Sequence, residues 1–523
     1  MEKKRRFFSR FTLIIFILLL TLIGSLTLHY FVNKKNFLTF IPNKFFLYAK
    51  TPTLKTIYEE YLSLTVINNV LSLSELKETR TLIYSLKRNE LLKNFFFKQI
   101  LNLPVNIIFE DEKNTLFLFD LGWRSIFTRI LPFIGYNINL KNLTITKKEG
   151  FVIFQYELSP GLNLYFSFVD NILLFSFNIE TIQNAYEISK SKENFNYKKP
   201  EKIVNEFAKT EKNFKILVSL EKLLASSIIT DNTIHKVLKK FDPLEDILIT
   251  ATIEETNINL EARLSTSSIS DENLKSLLLS KSAYLNSLRF LPQDITLVTI
   301  LNTVDLKDFI QFLDRLEIKE ISENLKNADS TVKTVFGKDL NEMVFSWTGG
   351  ETGLCKIRLF NDPVVFLKIK NREKYEEFKK TVINNLIISS STQTVYGVEI
   401  NLFNMIDFLS WILEIFKIKI PVAYYIEFGN YFFFSTNPEN LATIVKNYRE
   451  KNTFTENKEN KTVLRNLKPN TFLFSYFDVE KEKINFLKEE SILSMILRQY
   501  ELASISFYNT EDAIYLKIST TTK

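Results

Sequence analysis

Apolar positions along this chain follow two periods, and one run follows neither. Residues 11–32 (FTLIIFILLLTLIGSLTLHYFV) carry no charge from Phe11 to Val32, with Leu18, Leu19 and Leu20 near the centre. As a helix rising about 1.5 Å per residue, this run reaches roughly 33 Å, enough to cross a bilayer. Lys3, Lys4, Arg5, Arg6 and Arg10 precede it, and only Lys34 and Lys35 follow closely. That asymmetry predicts residues 1–10 as a basic cytoplasmic tail, 11–32 as a single transmembrane helix, and the body on the far side of the membrane. Leu26-Thr27-Leu28-His29-Tyr30 offers bulky side chains where a signal peptidase needs small ones, and no cysteine stands at the end of the run for acylation. The helix is therefore expected to be retained.

Beyond the helix, short β-period runs alternate with helix-period stretches, and the arrangement is written twice, about 250 residues apart. Ile41-Pro42 opens one copy and Leu291-Pro292 the other, each leading into a β-run and then a helical stretch, 54–70 or 306–316. Residues 115–121 correspond to 364–369, and 151–156 to 394–400. The closest pair is 164–180 with 423–439. There Asp170-Asn171 and Gly429-Asn430 read as two-residue hairpin turns between apolar strands, and Asn178 and Asn437 as helix N-caps. Lysine-rich loops follow at 190–202 and 451–461, then a strand, then a hairpin at 247–264 or 503–518. Gly349-Gly350 reads as a further turn. The pattern predicts an α+β fold: a transmembrane helix, then two similar domains, 40–264 and 286–523, joined by a connector at 265–285. Each would carry an antiparallel or mixed sheet with helices on one face.

Charge changes this picture only near the N-terminus. The chain of 523 residues has a formal charge of +7, but residues 1–35 hold seven Lys/Arg against Glu2 alone, leaving the body near +1. A nearly neutral body lacks the electrostatic footprint of a nucleic-acid binder. Cys355 is the sole cysteine, so the body holds no internal disulfide, and 48 Phe with 21 Tyr give it ample aromatic area for a core.

Candidate chemistry is sparse. Only His29 and His235 occur, which rules out a multi-histidine metal site in the body of one chain. Ser219-Leu220-Glu221-Lys222 has the spacing of a serine nucleophile with a lysine one turn on, but it recurs at Ser74-Glu75-Leu76-Lys77 and lacks a Lys-Thr-Gly strand. Residues 347–353 (WTGGETG) have the glycines of a phosphate loop without its Gly-Lys-Ser/Thr ending, so a hairpin turn is the better reading. Cys355 reads as a buried strand thiol. Asp120, ahead of Gly122-Trp123-Arg124, reads as a strand-end residue capping the next segment.

The Leu-Pro openings, residues 345–354, and the unit of strand, Gly429-Asn430, strand and Asn437-Pro438-Glu439 resemble an uncharacterised bacterial family of membrane-anchored proteins, classed as a domain of unknown function. The resemblance covers most of 40–523. It implies an N-terminal anchor and a duplicated α+β exterior, and it transfers no catalytic residues. The first copy departs from it, having Leu103-Pro104-Val105-Asn106 where the second has its Gly-Gly pair.

The expectation is a non-enzymatic envelope protein, anchored in the cytoplasmic membrane, presenting a duplicated binding or scaffold module without a cofactor. The alternative is a carrier or chaperone for lipid or other apolar envelope cargo; an enzyme using carboxylates alone ranks third. The expected partners are the membrane and an envelope protein or lipid, with no nucleic acid; no oligomeric state follows from the pattern.

Overall fold

The computed structural model describes residues 21–68, 99–128, 143–225, 235–279, 284–303, 326–385, 392–403, 423–482 and 500–521, apart from gaps of one to three residues. Phe11, Leu18, Leu19, Leu20, the basic residues Lys3 to Arg10 and the stretch 306–316 lie outside them. Among the described residues no helix is long and apolar enough to cross a membrane. The chain divides into two compact units, Met1–Lys222 and Leu223–Lys523.

The first unit holds β1 (Leu47–Thr53), β2 (Pro104–Phe109), β3 (Thr115–Asp120), β4 (Leu143–Lys148), β5 (Phe151–Ser159), β6 (Leu162–Val169), β7 (Ile172–Ser176) and β8 (Phe214–Ser219). They pair antiparallel in the order β8-β1-β2-β3-β7-β6-β5-β4. The second unit holds β9 (Asp246–Ile253), β10 (Asn257–Ser265), β11 (Ile295–Thr303), β12 (Thr348–Ile357), β13 (Pro363–Ile369), β14 (Thr392–Val395), β15 (Val398–Phe403), β16 (Ala423–Phe428), β17 (Tyr431–Ser435), β18 (Thr471–Asp478), β19 (Leu502–Asn509) and β20 (Ala513–Thr521). Here the order is β14-β15-β16-β17-β13-β12-β11-β18-β19-β20-β10-β9, again antiparallel. The order of β1 to β8 repeats strand for strand in β11 to β18. The fold is α+β and dominated by antiparallel sheet.

Matched contacts fix the two copies alike. In each, the strand after the tight turn ends in a serine, Ser176 or Ser435, whose hydroxyl donates to the carbonyl of Thr115 (2.8 Å) or Pro363 (2.9 Å). Two residues on, the Asn178 and Asn437 side chains accept from the Glu180 and Glu439 amides at 2.9 Å, starting the helices Ile179–Lys190 and Pro438–Arg449. After each helix the chain returns to the proline opening, where Phe195 N donates to Ile41 O and Phe454 N to Leu291 O, both at 2.8 Å. Phe195 joins Phe45, Tyr48 and Phe207 in a fully buried aromatic cluster. Phe454 is buried against Tyr476 in the core of the second unit.

Several sequence expectations need correction. The hairpin β9–β10, read as the end of the first copy, lies in the second unit, where β10 pairs with β20 over nine residues, from Asn257↔Thr521 to Ser265↔Ala513. Repetition in a sequence follows the pattern of each copy; unit boundaries follow where hydrogen bonds close. The connector is not free chain at its start, since Thr266 N donates to Asp512 O. Residues 394–400, matched in the sequence with 151–156 of the single strand β5, form the β14–β15 hairpin instead, turning at Tyr396 and Gly397, both with positive φ. The lysine-rich loops contain the helix Phe195–Lys198 and the starts of the helices Glu201–Ala208 and Lys458–Arg465. The helical stretch from residue 54 stops at Glu59, followed by a single turn at Tyr61–Ser63.

Gly349 and Gly350 are also not a hairpin turn. They lie inside β12, where its register with β13 shifts between Thr348 and Thr352, and Gly350 takes φ +74°. A side-chain carbon on Gly349 would lie 2.5 Å from Lys370 Cδ, and one on Gly350 3.3 Å from Lys368 Cδ. The glycines let two lysine stems cross a bulged strand.

Candidate anchor-docking site

Two residues singled out in the sequence, Asn171 of the first hairpin turn and Asp120, meet at the exit of the N-terminal helix. The turn between β6 and β7 contains two residues, with Asp170 at φ +54°. That conformation suits Asp, and it places the next side chain, Asn171, beneath the chain rather than in solvent. Asn171 is fully buried. Its Oδ1 accepts from Lys35 N at 2.7 Å, and its Nδ2 donates to Lys35 O at 3.1 Å and to Asp120 Oδ1 at 2.7 Å. The side-chain amide thus pairs with the Lys35 backbone as another peptide unit would. Asp120 Oδ1 also accepts from Gly122 N at 2.9 Å, and Leu121 N donates to Asn171 O at 2.8 Å.

The stem is held on both sides of Lys35. Asn36 caps the turn Phe37–Phe40, in which Leu38 and Phe40 are fully buried. On the helical side, Asn33 donates to His29 O and lies 3.0 Å from its Nδ1, while Tyr30 is buried. A side-chain carbon on Gly122 would lie 3.9 Å from the Tyr30 hydroxyl. Gly122 has φ +53° and opens the turn Gly122–Arg124, from which Trp123 projects 56 % exposed with the Arg124 guanidinium 5.4 Å from its ring. Leu28, Phe31 and Val32 are likewise exposed.

The second copy supplies an internal comparison. Ile369 N donates to Asn430 O at 2.8 Å, just as Leu121 N does to Asn171 O, and Gly429 has φ +61°. Gly429 and Asn430 are nevertheless exposed. The turn's backbone role is common to both copies, and among the described residues the clamp on a stem is seen only in the first.

The other candidates have structural roles. Beside Gly350, Glu351 is fully buried; its Oε2 accepts from Ser287 N at 2.7 Å, and its Oε1 accepts from Tyr431 Oη at 2.7 Å and Lys368 Nζ at 3.4 Å. The lysine over the glycines is held by the chain's own carboxylate. Burial, with the neighbouring Glu351 charge, raises the Tyr431 hydroxyl pKa far above its ordinary value. Ser219 Oγ accepts from Lys222 N at the start of the helix Leu220–Ala225. His235 Nε2 lies 3.3 Å from Leu224 O. Cys355 is buried in β12, and burial pushes its thiol up to about 12. Among the described residues, no three His, Cys, Asp or Glu gather as a metal site.

Sequence reasoning missed Tyr30 and Lys35 as partners of the turn. No local signal could have joined them, since Lys35 and Asn171 are 136 positions apart. It also missed the half-buried brace in which Glu427 of β16 accepts from Arg372 and Lys379, each at 2.7 Å.

No curated protein matches the chain. A solved structure titled "Structure of crystal form I of TP0453" is similar at 12 % identity over 46 % of this chain and 85 % of that one, with a TM-score of 0.26, too low to carry an argument. Residues 136–362, from just before β4 to the end of the β12–β13 connection, match the family described as "Protein of unknown function (DUF3352)", in agreement with the uncharacterised family that the sequence resembles.

Proposed function

We propose that this protein is a membrane-tethered, extracytoplasmic scaffold whose duplicated sheet modules present binding surface at a fixed place on the membrane. The uncharged run 11–32 and the basic residues before it support the tether. The observation that carries the reading is the clamp of Asn171 on Lys35, which makes the stem part of the first unit rather than a loose linker. Two copies of one strand order suit the presentation of a repeated surface. Glu351, a fully buried carboxylate, is engaged by three partners of the chain itself.

The test is extraction and protease access in cells carrying the full chain. The protein should stay with membranes through an alkaline carbonate wash, and external protease should digest the body in spheroplasts while sparing a short N-terminal fragment. Release by carbonate, or a body protected from external protease, would overturn the reading.

The second reading, a carrier of apolar cargo, draws on half-buried Phe154, Phe166, Phe168 and Phe175, whose rings follow one another on β5, β6 and β7 at centroid distances of 5.0 to 6.0 Å. Native mass spectrometry of protein purified in mild detergent should then show bound lipid. Lipid-free protein would leave the scaffold reading alone.

A further inference from the structure

We infer that the turn Gly122–Arg124 is a membrane-contact element: it seats the first unit on the phospholipid surface, with the Trp123 ring at headgroup depth. This rests on the tether proposed above and goes beyond it, since a tether alone requires no contact between body and bilayer.

The argument is one of depth. The uncharged run ends at Val32, and Tyr30 lies two residues inside that end, about 3 Å along a helix axis. Yet Tyr30 is already buried by protein, with Gly122 beside its hydroxyl. The loop carrying Gly122 therefore reaches the level of the last apolar turn, and the next residue on it is an exposed tryptophan. More than half of this large apolar side chain faces outward from the fold. At a bilayer interface its apolar ring and N–H group suit the region where chains meet headgroups. Arg124, 5.4 Å from the ring, adds a cation at the height of lipid phosphates. Lys34 and Lys35 follow on the stem at the same end. Gly122 at φ +53° sets the turn's direction, and Asp120 and Asn171 fix it to the same clamp that holds the stem. Depth and orientation are thus fixed by one set of hydrogen bonds.

The test uses the full-length protein in phosphatidylcholine and phosphatidylglycerol vesicles with bromine on the acyl chains. Cys355 is fully buried with its thiol raised to about 12, so a bimane label attached to Trp123→Cys goes to the introduced cysteine. Brominated lipid should quench this label strongly, and should quench a label at Phe177→Cys, exposed in the same unit just past the end of β7 remote from the clamp, much less. The unsubstituted protein gives a second readout, since brominated lipid should quench more of its tryptophan emission than of Trp123→Phe. Equal quenching at the two labelled positions, or equal quenching of native and Trp123→Phe emission, would overturn the inference. Flotation of the same vesicles after a carbonate wash separates the two claims. Protein that floats without quenching at position 123 retains the tether and loses the contact, whereas protein that does not float removes both.

Discussion

At the scale of single residues, the two turn asparagines form a controlled experiment within one chain. Asn171→Ala removes the partner of two backbone groups of Lys35 and one carboxylate oxygen of Asp120, at a part-buried site. Leaving such groups unsatisfied costs about 1–3 kcal/mol. Asn430→Ala, at an exposed turn, should change stability by about 0.5 kcal/mol or less. Chemical denaturation of both variants checks the difference, and equal losses would show that the clamp contributes nothing. Glu351→Ala should be costlier, about 3 kcal/mol or more, since it strands Lys368 and the Tyr431 hydroxyl inside the second unit.

Glu427 makes a prediction about acid. Burial raises its pKa, but hydrogen bonds from Lys379 and Arg372 and the nearby lysine charge outweigh that and hold the carboxyl below its ordinary range. A depressed folded pKa contributes stability that is present above the unfolded value of about 4.3 and is lost as pH falls through the folded value. Urea midpoints should therefore fall more steeply below about pH 4 in the native protein than in Glu427→Gln. Parallel curves for the two would remove Glu427 from the acid response.

At the scale of elements, what could be read from the sequence was what is local. The tight turns at 170–171 and 429–430 lie where positive φ and two-residue spacing place them, and Asn178 and Asn437 start helices because an asparagine side chain reaches the amide two residues on. Replacing either cap with alanine should cost about 0.5–2 kcal/mol, similar in the two copies because the partners match. Gly349-Gly350 misled for a physical reason. Glycine suits a turn and a bulge equally, and what separates them is whether a partner strand lies alongside. That partner, β13, brings Lys368 and Lys370 over the glycines, a fact no local window contains. The pairing of β3 with β7 and of β11 with β18 was equally out of reach, because it depends on contacts across many tens of residues. Of the candidate site, Asn171 and Asp120 were visible as a turn and a strand end, but their meeting with Lys35 was not.

At the scale of the whole molecule, the ladder of β10 with β20 joins strands about 250 residues apart in the chain within the second unit. Each is the closing strand of its copy, and they run antiparallel with Glu261 opposite Lys517 at the midpoint. Tyr508 donates to Glu261 Oε2 at 2.7 Å across 247 positions, tying the hairpin further. A protease site introduced beside the exposed Tyr284 should therefore give two fragments that still co-elute on gel filtration, separating only in denaturant. Fragments that part under native conditions would show that the ladder does not hold them.

The clamp at Lys35 also bears on reach. A flexible tether of ten residues would let its cargo wander over about 17 Å in any direction, and it would average away any preferred facing. Here the chain enters buried structure within a few residues of Val32, so the proposed tether has no slack. A partner meeting the first unit would encounter it at one height and one heading, and any search for that partner would fall to diffusion of the whole protein in the plane of the membrane. Lengthening the stem would trade that fixed presentation for range.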